Sequence, residues 1–369
     1  SRIPTGMKRI VRDAYYLIRP SLPLPVRKHL QKFHLNGWHK LTFPHWPVDT
    51  TVDQLMEQLM TLAVQRQGSE IPFIWFWPDG KDAGAVITHD VETQRGVELS
   101  SWLMDVNESF GIPASFQVIP EERYKVSESY LESIRARGFE VNVQDLNHDG
   151  NLYRDRRNFE SRVSKINAYG KHYGAAGFRA GVLYRNQEWY DLLDFEYDTS
   201  VPNVAHLDPQ HGGCCTVMPY FVGHLVELPV TTTQDYSLFH IMNDYSLALW
   251  KQQINIILSR HGLINLITHP DYITDSVKQW MYTQLIELID QVRREHNVWV
   301  ARPKEVSAWW RQRSQMKLVF RNGSWQVEGP GSERTVVAYA QLGDNGLRYR
   351  LASPSSTDEC VADSVRRTA

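Results

Sequence analysis

The chain is poor in cysteine. Only Cys214, Cys215 and Cys360 occur among its 369 residues. Adjacent cysteines rarely pair with each other and no CxxC is present, which excludes a disulfide scaffold and a cysteine-built zinc site. It lacks any run of about 18 apolar residues, so no membrane-spanning helix is implied. No clean signal peptide opens it. It also lacks an excess of one charge: the formal net charge is −2, which argues against a nucleic-acid binder. These absences lean toward a cytoplasmic protein. No internal repeat is visible. What is present is ordinary for a globular chain, 42% hydrophobic and 22% charged residues.

The first 40 residues are unlike the rest. They carry nine Lys or Arg against one acid, Asp13. Ile10, Val11, Tyr15, Leu17 and Ile18 interleave with the cations. Such a segment either packs as a basic helix on the side of a domain or touches an anionic membrane surface peripherally. A helix is expected over 52–64, with Leu55, Leu59 and Leu62 on one stripe. From Ile71 strands and helices alternate. Strands are read at 71–77, 86–88, 114–119, 139–143, 177–180, 195–199, 226–230, 263–269 and 298–301. Helices are read at 98–110, 127–137, 152–173, 188–193, 244–261, 276–295 and 303–313. Repeated strand–helix alternation argues a wound parallel sheet, and the number of short units favours a barrel. After Gln315 two hairpins are expected, one turning at Asn322-Gly323 and one at Asp344-Asn345-Gly346. The chain thus divides into an N-terminal basic helical extension (1–65), an α/β barrel (66–315), and a small antiparallel β appendage with a polar tail (316–369).

Chemistry-bearing residues gather at the ends of the strands. Thr88-His89-Asp90-Val91-Glu92 leaves the strand that contains Val86 and Ile87. Asp90 and Glu92 are two apart, so in extended chain they share a face. Two such carboxylates repel unless a cation or shared proton intervenes. Read alone, Asp90 is equally a strand-end cap. Gln144-Asp145-Leu146-Asn147-His148-Asp149-Gly150 follows Val143, and Gln144 and His148 would share a face on a helical turn. That loop is also ordinary turn chemistry. Arg179 in Phe178-Arg179-Ala180 is suited to orient a carboxylate. Glu227-Leu228-Pro229-Val230 is followed by Asp235. His269 leaves the apolar run Leu266-Ile267-Thr268 toward the same end, well placed for acid–base work.

In this order the motifs resemble the polysaccharide deacetylase family, the NodB-homology or carbohydrate esterase family 4 group, over roughly residues 80–310. The resemblance implies a distorted (β/α)7-type barrel. It implies a hydrolase that removes acyl groups, usually N-acetyl, from a sugar of a polysaccharide or glycan precursor with the help of a divalent metal, usually zinc. Carried over, Asp90 matches the catalytic base, Arg179 the Arg that holds it, and His269 the general acid, with Asp235 tuning His269. Glu92 and His148 match metal ligands.

One position departs from the pattern. The first ligand His is Gln144 here, a neutral oxygen donor where zinc prefers nitrogen or sulfur. His89 is a candidate stand-in, although alternation turns it away from Asp90. Gln144 therefore sustains a second reading, a weakened deacetylase-like barrel that binds glycan or a partner. A hydrolase of another non-peptide C–N bond is a third. Tyr184, Tyr236 and Phe239 are candidate sugar-stacking residues, each of which could equally be core.

Overall fold

The computed structural model describes residues 14, 15, 18, 22–344 and 346–352. Most of the basic segment before residue 22, the polar tail from 353 and Cys360 lie outside the described residues. The first described helix, α1 (Leu24–His34), begins at the first Leu after Pro23, with Pro25 in its first turn, where a missing N–H costs nothing. Helix α2 (Thr51–Gln67) ends on Gly68 in the left-handed conformation.

Strand β1 (Ile71–Ile74) follows, and then the barrel strands β2 (Ala83–Val91), β3 (Ser115–Val118), β4 (Glu140–Gln144), β5 (Gly177–Arg179), β6 (Tyr197–Asp198), β7 (Tyr220–Val222), β8 (Leu225–Glu227), β9 (Leu263–Thr268) and β10 (Val298–Val300). They make one nine-stranded sheet in the order β10-β2-β3-β4-β5-β6-β8-β7, with β9 on the other edge of β2. Every pairing is parallel except β7 with β8. The sheet curls so that β8 approaches β9, and side chains close that seam. Thr231 and Thr232 hydroxyls donate to the carbonyls of Leu263 and Asn265, and the Asn265 amide donates to Leu228 O at 3.0 Å.

The helices lie outside the curl. They are α3 (Gln94–Ser109), α4 (Glu128–Ala136), α5 (Arg156–Tyr173), α6 (Ala248–Leu258), α7 (Ser276–Glu295) and α8 (Pro303–Gln315). Thr93, Ser127, Asp155 and Asp275 cap α3, α4, α5 and α7 by accepting from a main-chain N–H of the first turn. Alternation along the strands then separates two environments. Val91, Phe116, Val143 and Phe178 enter the main core under the helices, all buried. Thr88, Asp90, Asn142, Gln144, Arg179 and Asn265 are equally buried yet polar.

The C-terminal strands form two hairpins. β11 (Lys317–Arg321) and β12 (Ser324–Glu328) pair around Asn322 and Gly323, whose φ values of 53° and 80° are those of the expected turn. β13 (Val337–Gly343) and β14 (Gly346–Leu351) pair with each other, and β13 also pairs with β1. The expectation that 71–77 heads the barrel is therefore corrected. Its strand is the third member of the appendage sheet, and Trp77 anchors it beneath the barrel by donating to His261 O at 2.6 Å.

Candidate active site

Strand β2 delivers the site. Thr88 and Asp90 face the curl of the sheet, while His89 faces the helices. The His89 ring lies 4.7 Å from Phe116, and its Nδ1 is 2.8 Å from Thr268 Oγ1. Burial, with the charge of His269 adding to it, pushes the His89 pKa down to about 3. It is a neutral core histidine on the wrong face to serve as a stand-in ligand, as strand alternation requires.

Asp90 meets Arg179 and Gln144 through one oxygen. Oδ2 accepts from Arg179 Nη1 at 3.4 Å and from Gln144 Nε2 at 3.3 Å. Arg179 is held by Thr88 Oγ1 at 2.8 Å and Thr199 Oγ1 at 3.4 Å. The other oxygen, Asp90 Oδ1, is buried without a hydrogen-bond partner. Burial raises the Asp90 pKa, opposed by the Arg179 and His269 charges. A carboxylate raised by desolvation is a stronger base than one in water.

Glu92 sits at the opening. Its Oε1 is 3.0 Å from His148 Nε2 and 3.9 Å from His269 Nε2, and its Oε2 accepts from the Tyr272 hydroxyl at 3.3 Å. Burial would raise its pKa, but the charge and hydrogen bond of His148, followed by the charge of His269, outweigh burial. They hold the carboxyl well below the usual range. Burial opposes protonation of His148, yet Glu92 and then Asp145 raise its pKa. His269 is clamped by Asp235. Its Nδ1 donates to Asp235 Oδ1 at 2.6 Å and its main-chain N to Oδ2 at 2.8 Å. Burial works against a charged imidazole, but Asp235, then Glu92 and Asp90, raise the His269 pKa to about 10.

The chain of contacts thus brings Asp90, Glu92, Gln144, His148, Arg179, Asp235 and His269 into one place. Several neighbours were not read from the sequence. Asp271 Oδ2 accepts from the Glu92 main-chain N at 2.9 Å and its Oδ1 from the Thr93 hydroxyl, tying the β9 loop to the β2 loop. The Tyr272 ring lies 4.8 Å from His269. Arg123 Nε donates to Glu92 O at 3.2 Å. Asp145 is buried with Oδ2 unpartnered, at a φ of 55°. A Cβ on Gly181 would stand 2.4 Å from that oxygen and 3.1 Å from His148 Cδ2, so only glycine fits there. The Pro270-Asp271 turn and the Gly after Arg179-Ala180 were the available signals. Of the candidate stacking residues, Tyr236 lies 5.3 Å from Tyr272 at the opening and Tyr184 is buried. Phe239 belongs to the main core, stacked 5.4 Å from Tyr245.

A divalent metal is what the family pattern implies, and the donor set argues against zinc. Among the described residues no group of three or more His, Cys, Asp or Glu side chains is disposed to hold a metal ion. Glu92 Oε1 lies 3.0 Å from His148 Nε2 and its Oε2 accepts from the Tyr272 hydroxyl, while Gln144 Oε1 and His148 Nδ1 are buried without a hydrogen-bond partner. Gln144 offers a single neutral oxygen in either amide orientation. One imidazole with oxygen donors is not the nitrogen- and sulfur-rich set that zinc selects.

A curled parallel sheet gathers carboxylates and imidazoles at its strand ends, an α/β-barrel arrangement. No family model and no curated protein matches the chain. Solved structures do. A protein assigned as a polysaccharide deacetylase from Mycobacterium smegmatis superposes with a TM-score of 0.51 at 21% identity, covering 64% of this chain and 93% of that chain. Puue allantoinase gives 0.48 at 12% identity, covering 63% and 92%. A protein assigned as a polysaccharide deacetylase from Pseudomonas aeruginosa PAO1 gives 0.49 at 12% identity, covering 63% and 92%. The chain has the NodB-like fold of the polysaccharide deacetylases.

Proposed function

We propose that the chain is a hydrolase that removes an acyl group, N-acetyl foremost, from a sugar of a polysaccharide or glycan precursor. The observation that carries this reading is a base and an acid in one cluster, tuned in the directions the reaction needs. Asp90 is raised by burial and keeps Oδ1 free of partners. His269 is held protonated by Asp235.

Asp90 Oδ1 takes a proton from water, and the water oxygen attacks the acyl carbonyl carbon. Arg179 keeps the carboxylate aimed. His148, beside Glu92, is placed to donate to the developing oxyanion. Losing one such donor costs about 3 kcal/mol in comparable sites. The tetrahedral intermediate then expels the sugar nitrogen, to which His269 Nε2 gives its proton, because an amine anion does not leave unprotonated. Tyr272 and Tyr236 form an aromatic edge for the sugar.

Helix α1 supports peripheral contact with an anionic membrane. It carries Arg27, Lys28 and Lys32 and no acid, and exposes Val26, Leu30 and Phe33. No helix among the described residues is long and apolar enough to cross a membrane. A second reading, a glycan-binding barrel without turnover, is favoured by Gln144 alone. Acetate release from N-acetylglucosamine oligosaccharides separates the two. Turnover that is lost in Asp90→Asn and in His269→Ala supports the hydrolase. Full activity in either variant refutes the assigned roles, and binding without turnover in the wild type supports the binder.

A further inference from the structure

Helix α2 is amphipathic in the reverse sense for a helix lying on a domain. The side it turns inward is polar. Asp53 accepts from the Thr216 hydroxyl at 2.7 Å and from the Val217 main-chain N at 3.1 Å, and Glu57 pairs with Arg260. Val64 is its one fully buried apolar residue. The side it turns outward is apolar. Val52, Leu55, Met56, Leu59 and Leu62 are between 40% and 61% exposed. Spacings of three and four put them on one stripe. The stripe presents on the order of 450–500 Å², the size of the largest apolar patch on a typical monomer, which is often functional.

We propose that this stripe is the interface of a homodimer, in which α2 of a second copy packs antiparallel across a two-fold axis. Area is the first argument. Two such stripes face to face bury up to about 900–1,000 Å², so with the flanking residues the contact reaches the size at which specific interfaces begin.

Symmetry is the second. An isologous contact needs a surface complementary to itself, and this stripe reads nearly alike in both directions. An axis level with Glu57 sets Leu55 of one copy on Leu59 of the other, and Val52 of one on Leu62 of the other.

Charge is the third. The exposed residues of α2 from Thr51 to Gln65 include no charged side chain, and glutamines 54, 58 and 65 flank the stripe. An anionic lipid surface selects cations beside an apolar face, whereas glutamines hydrogen-bond to their own copies. The chain's last residues do not suit the stripe either, since 353–369 hold only Val361 and Val365 as large aliphatic residues.

Sedimentation velocity on the full chain, from about 1 to about 50 µM, tests the proposal. The wild type should sediment at twice the monomer mass. Leu55→Glu/Leu59→Glu, and the milder Leu55→Gln/Leu59→Gln, should sediment as monomers with unchanged circular dichroism. A wild type that is monomeric throughout overturns the proposal, as does a dimer that survives both double variants. Co-sedimentation of a monomeric wild type with phosphatidylglycerol vesicles, lost in the double variants, would overturn it in favour of a lipid surface.

Discussion

Replacing Asp235 by Asn isolates the acid half of the proposed chemistry. Asp235 holds His269 through two hydrogen bonds, and Asn keeps the shape of the side chain and one acceptor oxygen, turns the other into a donor and removes the charge. In the wild type the His269 pKa lies at about 10 against an ordinary 6.5. A hydrogen-bonded opposite charge moves a pKa by about 1–3 units. His269 in Asp235→Asn should therefore titrate between about 7 and about 9, since Glu92 and Asp90 still favour the charged form. Each unit corresponds to about 1.4 kcal/mol between the two protonation states. The sign follows from a raised pKa. The stability contributed by the charged imidazole is fully present below pH 6.5 and is lost as pH rises through about 10. The variant should lose it at lower pH, and its rate should fall on the alkaline side earlier, with kcat at pH 8 down by up to about 10-fold as the protonated fraction falls. Nitrogen-15 spectra of labelled histidines read the titration directly, and acetate release reads the rate. A His269 resonance that still titrates near about pH 10 in Asp235→Asn, or an unmoved alkaline limb, would refute the claim that Asp235 supplies the charge.

Other outcomes follow from the same geometry. Chelation by EDTA should leave acetate release unchanged, and elemental analysis of the purified protein should find zinc well below one equivalent. Gln144→His should raise zinc affinity, by about 10-fold or more, because it adds an imidazole beside His148. Calorimetric titration with zinc checks this, and equal affinity in both proteins would contradict it. Gly181→Ala should displace Asp145 or His148, lowering stability by about 1–3 kcal/mol and turnover by about 10²-fold. A melting temperature and rate equal to wild type would show that the loop yields freely.

Much of the barrel was legible because its signals are local. The apolar run Leu263–Thr268 and the Asn322-Gly323 turn each specify their own conformation. The sequence order of the strand-end residues marked the site, since strands of a parallel sheet bring their ends together. What escaped was non-local. Ile71–Ile74 has the same β-forming composition in either sheet, and its partner Val337–Gly343 lies at the far end of the chain. The outward face of α2 was read as a stripe, but the polar anchors Thr216 and Arg260 that turn it to solvent are distant in sequence. Asp145 and Tyr272 carry no signature of their own, and their importance comes from His148 and Glu92 beside them. Phe239 illustrates the converse, an aromatic in a mouth loop that folds back into the core.

The central claim is that Asp90 and His269 act as a base and an acid on one bound sugar amide. Its most direct test is the pH dependence of kcat/KM for acetate release from an N-acetylglucosamine oligosaccharide. A bell is predicted, with an acid limb above the ordinary carboxylate range that disappears in Asp90→Asn and an alkaline limb near about 10. A profile flat across the range, or one that Asp90→Asn leaves unchanged in shape and height, would contradict it.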